Sequence, residues 1–363
     1  MSWMLDVKDL TPIAIGASIL GTGGGGDPYI GQLMAQRALE QYGPVKVLEA
    51  DDIAGDDWVI AIAGMGAPTV LFEKPPHGDE PVKAFLRLEK HLGISNAIPC
   101  PIEAGGINSL IPIVVAAQLN RPIVDADGMG RAFPELYMVT FHVGGLNGTP
   151  ACITNEFGDY VILDHLHDNL AFEWIARGVT IRMGGHAFVA QFPMLGDQLR
   201  NNAIRGTLSL AWRIGQAVIN AQENHLDPIS AIASVTAYAD YGEGRIIFRG
   251  KIAEVNRRTI EGFARGTMRI EGMDEFKNRS IIIDFQNENL IARDDEGKHV
   301  ATVPDLITVL DSTTGQAITT ERLRYGQRVA VIGIPAPSIM KTPEALKIWG
   351  PRGFRYDFDY VPL

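Results

Sequence analysis

Three short polar stretches carry residue types able to do chemistry: GMGAP (64–68), EAGGIN (103–108) and DADGMGR (125–131). Each follows an apolar run of strand length, and together they offer carboxylates, an amide and a guanidinium among glycines. Carboxylates sharing one crevice can divide the work of base and acid, because like charges drive their pKa values apart. They can also hold a divalent metal ion that acidifies water. Glu103, Asp125 and Asp127 are the candidates, with Glu156 of TNEFGD entering from a later strand as a fourth. Asp125 and Asp127 lie one residue apart, so on a strand they point to opposite faces, and only a turn brings both into one crevice. A turn that caps the backbone is the plain alternative for them. Arg131 suits an anionic substrate group, or an ion pair with Glu135.

The glycine-rich stretch GTGGGGDP adds a second kind of site. Gly21, Gly23 and Gly26 match the G-x-G-x-x-G spacing of a dinucleotide loop, but that motif needs a strand before it. Here Thr11-Pro12 opens a helix over IAIGASIL, and Asp27-Pro28 opens another over YIGQLMAQRALEQYG. The acids ending PVKVLEADD keep the nucleotide reading open. The preferred reading is helix, glycine loop, helix, with free N–H groups at the second helix start forming an anion nest and no nucleotide expected. Gly24, Gly25 and Asp27 would then contact substrate, together with Gly66, Asn108 and Arg131. Asp27 as a simple helix cap is the bland alternative.

The elements that must position these residues alternate. The runs DWVIAIAG, NAIPCPI and RPIVDAD are nearly continuously apolar, and amphipathic or apolar helices separate them, which predicts a mainly parallel sheet covered on both faces. Strand-to-helix loops of such a sheet fall on its carboxyl edge, so the loops 21–26, 64–68, 103–108 and 125–131 are expected to line one pocket there. The expected architecture is α/β plus β. Residues 1–165 form a three-layer α/β/α domain. Residues 166–363 form a second domain, with one helical segment over about 197–225 followed by a mainly β, barrel-like region. YMVTFHVGG and TPACITNEFGDYVIL read as a strand pair, and FQNENL as part of a barrel strand whose polar residues pair in the core.

The formal charge of −11, from 32 basic and 43 acidic residues, argues against nucleic acid or an anionic membrane as partner. No apolar run approaches the ~20 residues of a membrane span, and the start MSWMLDVKDL lacks a leader pattern, so a cytoplasmic protein is expected. Cys100 and Cys152 sit in apolar strands and read as buried and inert. His165 and His167 in DHLHD read as a polar loop before a metal pair. Serine-hydrolase elbows and Walker loops are absent from the sequence.

At LGTGGGGDP, EAGGIN, DADGMGRAFPEL and NEFGD, and then GFARG, FQNENL, VPDLI and LRYGQRV, the chain resembles the S-methyl thiohydantoin desulfurase family. The likeness spans nearly the whole chain in order. It implies an α/β sandwich followed by a β-barrel-like domain, and action on hydantoin-type five-membered rings. It also implies association with hydantoinase/oxoprolinase-type proteins, which makes a non-catalytic subunit or ligand-binding partner the alternative to an enzyme. A homo-oligomer is compatible with either. The resemblance assigns no catalytic residues and leaves the metal requirement open.

Overall fold

In the computed structural model, residues 2–67, 70–260 and 263–363 are described; Pro68 of the expected 64–68 loop lies outside them. The chain is a mixed α/β protein whose last third is a curled seven-stranded half-barrel.

The first helix, Val7–Leu20, begins earlier than Thr11-Pro12 suggests. Asp6 caps it in a reciprocal box with Asp9, and Pro12 falls inside it. These side-chain bonds satisfy N–H groups that a helix start leaves orphaned, which outweighs the proline signal. The second helix, Tyr29–Tyr42, follows Pro28 directly, and Asp27 Oδ1 accepts from Tyr29 N at 3.0 Å.

The central sheet has five strands in the order Ile98–Pro101, Trp58–Gly66, His186–Leu195, Ala151–Thr154, Tyr160–Leu163. Only Trp58–Gly66 and Ile98–Pro101 pair in parallel within it; the other pairings are antiparallel. The parallel sheet expected from the apolar runs is therefore largely replaced. Val45–Leu48 and Ile123–Val124 pair in parallel in a separate small sheet. The reason is a strand from beyond residue 165: His186–Leu195 inserts between Trp58–Gly66 and Ala151–Thr154, a partner that no local pattern in the first half announces. Alternation along Trp58–Gly66 then feeds two cores. Ile60 and Ile62 pack in one with Phe85, Leu88 and Val114, while Val59, Ala61 and Ala63 join another that extends to Leu306, Leu310 and Ile332 of the half-barrel.

Two further readings change. Thr140–Val143 is a short helix, and the expected strand pair is instead the hairpin Ala151–Thr154 with Tyr160–Leu163. The helical segment about 197–225 is two helices, Gly196–Asn202 and Thr207–Glu223, separated by Ile204–Arg205, which pairs with Ala126–Asp127. The longer one packs on Val7–Leu20 so tightly that a β-carbon on Gly16 or Gly215 would strike the facing backbone at Ala211 or Pro12. The two halves of the chain are locked together along this crossing.

Candidate active site

Where Trp58–Gly66 outruns its shorter parallel neighbour, the backbone of Gly64 is left without a ladder partner on that side, since the pairing ends at Ile62 and Pro101. Asn108 fills the gap. Its Oδ1 accepts from Gly64 N at 2.7 Å, and its Nδ2 donates to Gly64 O at 3.2 Å and to Glu103 Oε1 at 2.8 Å. A side-chain amide thus extends the sheet edge and fixes a carboxyl at its end.

Glu103 lines a cleft of about 500 Å³ at the carboxyl ends of these two strands. Around it stand Gly24, Gly25, Gly66, Asn108 and His186, with Asn287, Glu288 and Glu321 reaching in from the half-barrel. Glu103 is 4% exposed; burial pushes its pKa up to about 8, with the Asn108 hydrogen bond opposing. Glu288, 2% exposed, is also raised by burial and by the charge of Glu103, while Arg131 pulls it the other way. Its Oε2 is buried with no hydrogen-bond partner among the described residues. Such an oxygen costs free energy unless something entering the cleft satisfies it.

The glycine loop forms the opposite wall. Asn289 N donates to Thr22 O at 2.8 Å, Thr320 N to Gly23 O at 2.9 Å, and Ile107 N to Gly25 O at 3.0 Å. A β-carbon on Gly24 would collide with the Glu288 carboxyl, and Gly25 has φ +70° against the backbone of Gly105 and Gly106. Glycine is required here for contact as well as conformation. The N–H groups of Gly25 and Gly26 have no acceptor among the described residues, and both residues line the cleft.

Five of the residues singled out from sequence lie elsewhere. Asp125 supplies the cap that Gly206 lacks: its Oδ1 accepts from Leu208 N at 2.9 Å and Ser209 N at 3.0 Å, and Ser209 Oγ donates to its other oxygen. Asp127 is fully buried behind the cleft wall, its Oδ1 taking Met129 N at 2.6 Å and Gly130 N at 2.5 Å, so the turn-capping alternative describes Asp127, whereas Asp125 caps a distant helix. Burial pushes Asp127 up to about 7. Arg131 makes no pair with Glu135. Its five N–H groups go to Thr22 Oγ1 and to the carbonyls of Ala132, Asn289, Pro304 and Asp305, stapling the glycine loop to the half-barrel. Asp27 pairs with Arg322 in a separate surface hollow. Glu156 pairs with Lys74 in a small hollow on the far side of His186; burial would raise it, but Lys74 holds it below the usual range.

Glu288 and His186 are the residues that sequence reading passed over. FQNENL is a hairpin rather than a continuous strand: Gln286 pairs with Glu288, and Asn287 sits at the tip with φ +57°. An Asn, which tolerates positive φ, between two polar residues was the available signal. A larger surface trough, about 1160 Å³, runs along helix Asn169–Arg182, but its buried acid Glu173 is spent on Leu136 N and Arg177. Cys100 and Cys152 are free and buried, with pKa values raised by burial. No three His, Cys, Asp or Glu converge as a metal site among the described residues, and no helix there is long and apolar enough to cross a membrane.

The arrangement offers two buried carboxyls of raised pKa and backbone N–H groups lining the same cleft. It suits addition of water to an electrophilic carbon with protonation of a leaving group. Among known proteins, the S-Me-THD-like N-terminal domain matches residues 8–165, and the S-Me-THD-like C-terminal domain matches residues 167–363. The X-ray crystal structure of a protein from Chromobacterium violaceum is similar over 99% of both chains, at 27% identity and a TM-score of 0.81. No curated protein matches.

Proposed function

Since the chain belongs to the S-methyl thiohydantoin desulfurase family, we propose that it removes sulfur hydrolytically from a thiohydantoin-type ring bound in the Glu103–Glu288 cleft. The observation that carries this reading is the pair of buried carboxyls lining one cleft, one held by a neutral amide and the other left with an unpartnered oxygen.

The roles follow from the environments. Glu103 has neutral donors around it and a pKa near 8, so it keeps its proton at neutral pH and serves as the acid. Burial and the charge of Glu103 raise Glu288 as well, but Glu288 is the member of the pair on which the buried Arg131 charge acts, so it is taken as the one that ionises. Glu288 takes a proton from water as the oxygen attacks the ring carbon that lies between two nitrogens and bears sulfur. Glu103 then protonates the departing sulfur. The N–H groups of Gly25 and Gly26 offer hydrogen bonds to charge that develops on the ring. Asn108 orients the acid and closes the sheet edge behind it.

The test is incubation of the protein with S-methyl thiohydantoins, thiohydantoins and hydantoins, with and without chelator, following thiol release and the mass of the product ring. Thiol release with formation of a hydantoin is expected. No turnover of any of these rings, across several added divalent metals, would dismiss the reading.

A further inference from the structure

His186 takes no part in the scheme above, yet it stands in the wall between two cavities. It begins the strand His186–Leu195 opposite Gly66 and lines both the cleft and the small hollow behind it. Its ring meets Phe188 edge-on at 5.2 Å and lies over Gly64. A β-carbon on Gly64 would fall 2.9 Å from His186 Nε2 and 3.5 Å from Asn108 Oδ1. The imidazole therefore fills the space that the missing side chain leaves, beside the amide that holds Glu103. Neither ring nitrogen has a hydrogen-bond partner among the described residues, because Lys74 and Glu156 pair with each other.

The charged groups around the ring are Lys74, Glu156 and Glu80 on the hollow side, and Glu103, Glu288, Glu321 and Arg177 on the cleft side. Burial and then Lys74 depress the imidazole to about 4, against the pull of Glu156. It is neutral under ordinary conditions, with one N–H to give and one lone pair to accept. A neutral imidazole can polarise an atom that gains negative charge without taking over the acid's role.

The geometry points to His186 as a further substrate-contacting residue, whose neutral N–H donates to the ring nitrogen that receives the electron pair when water adds. The inference rests on the desulfurase reading. In that step the water oxygen bonds to the ring carbon, one water proton passes to Glu288, and the C=N pair moves onto the nitrogen facing His186. As the carbonyl forms, the carbon–sulfur bond breaks, sulfur leaves with its electron pair and the Glu103 proton, and the remaining hydroxyl proton ends on that nitrogen. Ring plus water gives hydantoin plus thiol, with no oxidant or reductant.

Three variants and one spectrum test it. His186→Ala should lower kcat about 100-fold, the scale of losing one hydrogen bond to developing charge. KM should stay within about twofold. His186→Gln, which keeps a neutral N–H donor, should recover about tenfold of that loss. In a nitrogen NMR titration, the resonance missing from the His186→Gln spectrum should stay neutral down to pH 5 and shift when hydantoin is added. Lys74→Met should move that titration upward and bring a new acid limb into the pH–rate profile. Turnover by wild type with His186→Ala within twofold of it, or an imidazole protonated at pH 7, would overturn the inference and leave the desulfurase reading standing. If no thiohydantoin is turned over at all, that reading fails and the inference falls with it.

Discussion

Two groups of buried acids lie within a short distance of each other in this protein, and they have different fates. Asp125 and Asp127 occupy the turn beside the fully buried Arg131, and Glu103 and Glu288 occupy the cleft. All four are shielded from water and all have pKa values raised by burial. What separates them is whether spare hydrogen-bonding capacity faces the cleft. Asp125 accepts three hydrogen bonds at the start of Thr207–Glu223, and one oxygen of Asp127 takes two backbone N–H groups of its own turn while the other is buried away from the cleft. Glu103 takes the Asn108 amide and the Phe133 backbone N–H and still faces the cleft, and Glu288 keeps an oxygen there without a partner. Burial and a shifted pKa therefore do not by themselves mark chemistry. Capacity left over, facing a cavity, does.

The sharpest way to break this comparison is amide substitution in the cleft. Glu103→Gln and Glu288→Gln should each lower kcat/KM about 10²–10⁴-fold, the usual weight of a general acid or base. The urea midpoint of Glu288→Gln should match or exceed wild type, because a neutral amide is easier to bury than a carboxylate. That of Glu103→Gln should stay close to wild type at pH 7, where the Glu103 carboxyl is already neutral. Retained activity in either variant would erase the distinction.

In the turn the balance should reverse. Arg131→Met removes a guanidinium four of whose five donors join Thr22 of the glycine loop to Asn289, Pro304 and Asp305 of the half-barrel, and orphans the acceptors they serve. A loss of about 3 kcal/mol or more in unfolding free energy is expected. Asp125→Ala, which uncaps Thr207–Glu223, should cost about 1–2 kcal/mol. Activity per folded molecule at low temperature should fall only a few-fold in Asp125→Ala.

The pH dependence separates the two groups more finely. Glu103 has a folded pKa near 8 against an ordinary value of 4.5, so between these limits the folded protein holds a proton that the unfolded chain releases. Its contribution to stability is complete below about pH 4.5 and is lost as pH rises through 8. Glu103→Gln should flatten that part of the stability profile. The rate should decline above about pH 8 as the acid loses its proton.

The smallest expected effect distinguishes contact from conformation within the glycine loop. Gly24→Ala should displace Glu288 and lower turnover about tenfold for a modest change in melting temperature. Gly25→Ala, forced to φ +70°, should lose about 1 kcal/mol or more of stability instead. Circular dichroism melts alongside thiol release would show whether the two positions differ in this way.

Part of this arrangement is legible from local pattern. The apolar runs predict strands at Trp58–Gly66 and Ile98–Pro101, and the polar residues that follow them, Gly66, Glu103 and Asn108, do line one cleft with Gly24 and Gly25. Helix, glycine loop, helix also describes residues 7–42. The pairing of the central sheet is not legible, because its middle strand comes from residues 186–195, more than a hundred positions after the strand it joins. Alternation and apolarity report that a strand exists and which faces it buries; they carry no information about which neighbour it meets.

The sequence by itself determined the residue chemistry available at the strand ends, the glycines that permit close approach, and a charge balance that disfavours polyanionic partners. Only the tertiary structure decided which polar groups keep anything to offer. Asp125 is spent on Leu208 and Ser209, and Arg131 on Thr22, Asn289, Pro304 and Asp305. Those partners are brought in from 83 to 174 positions away. Glu288 is brought to Glu103 by the same folding of the half-barrel over the sheet edge. A carboxylate's reactivity depends on the donors, charges and water around it, and these are assembled by long-range packing that the letters beside it do not encode.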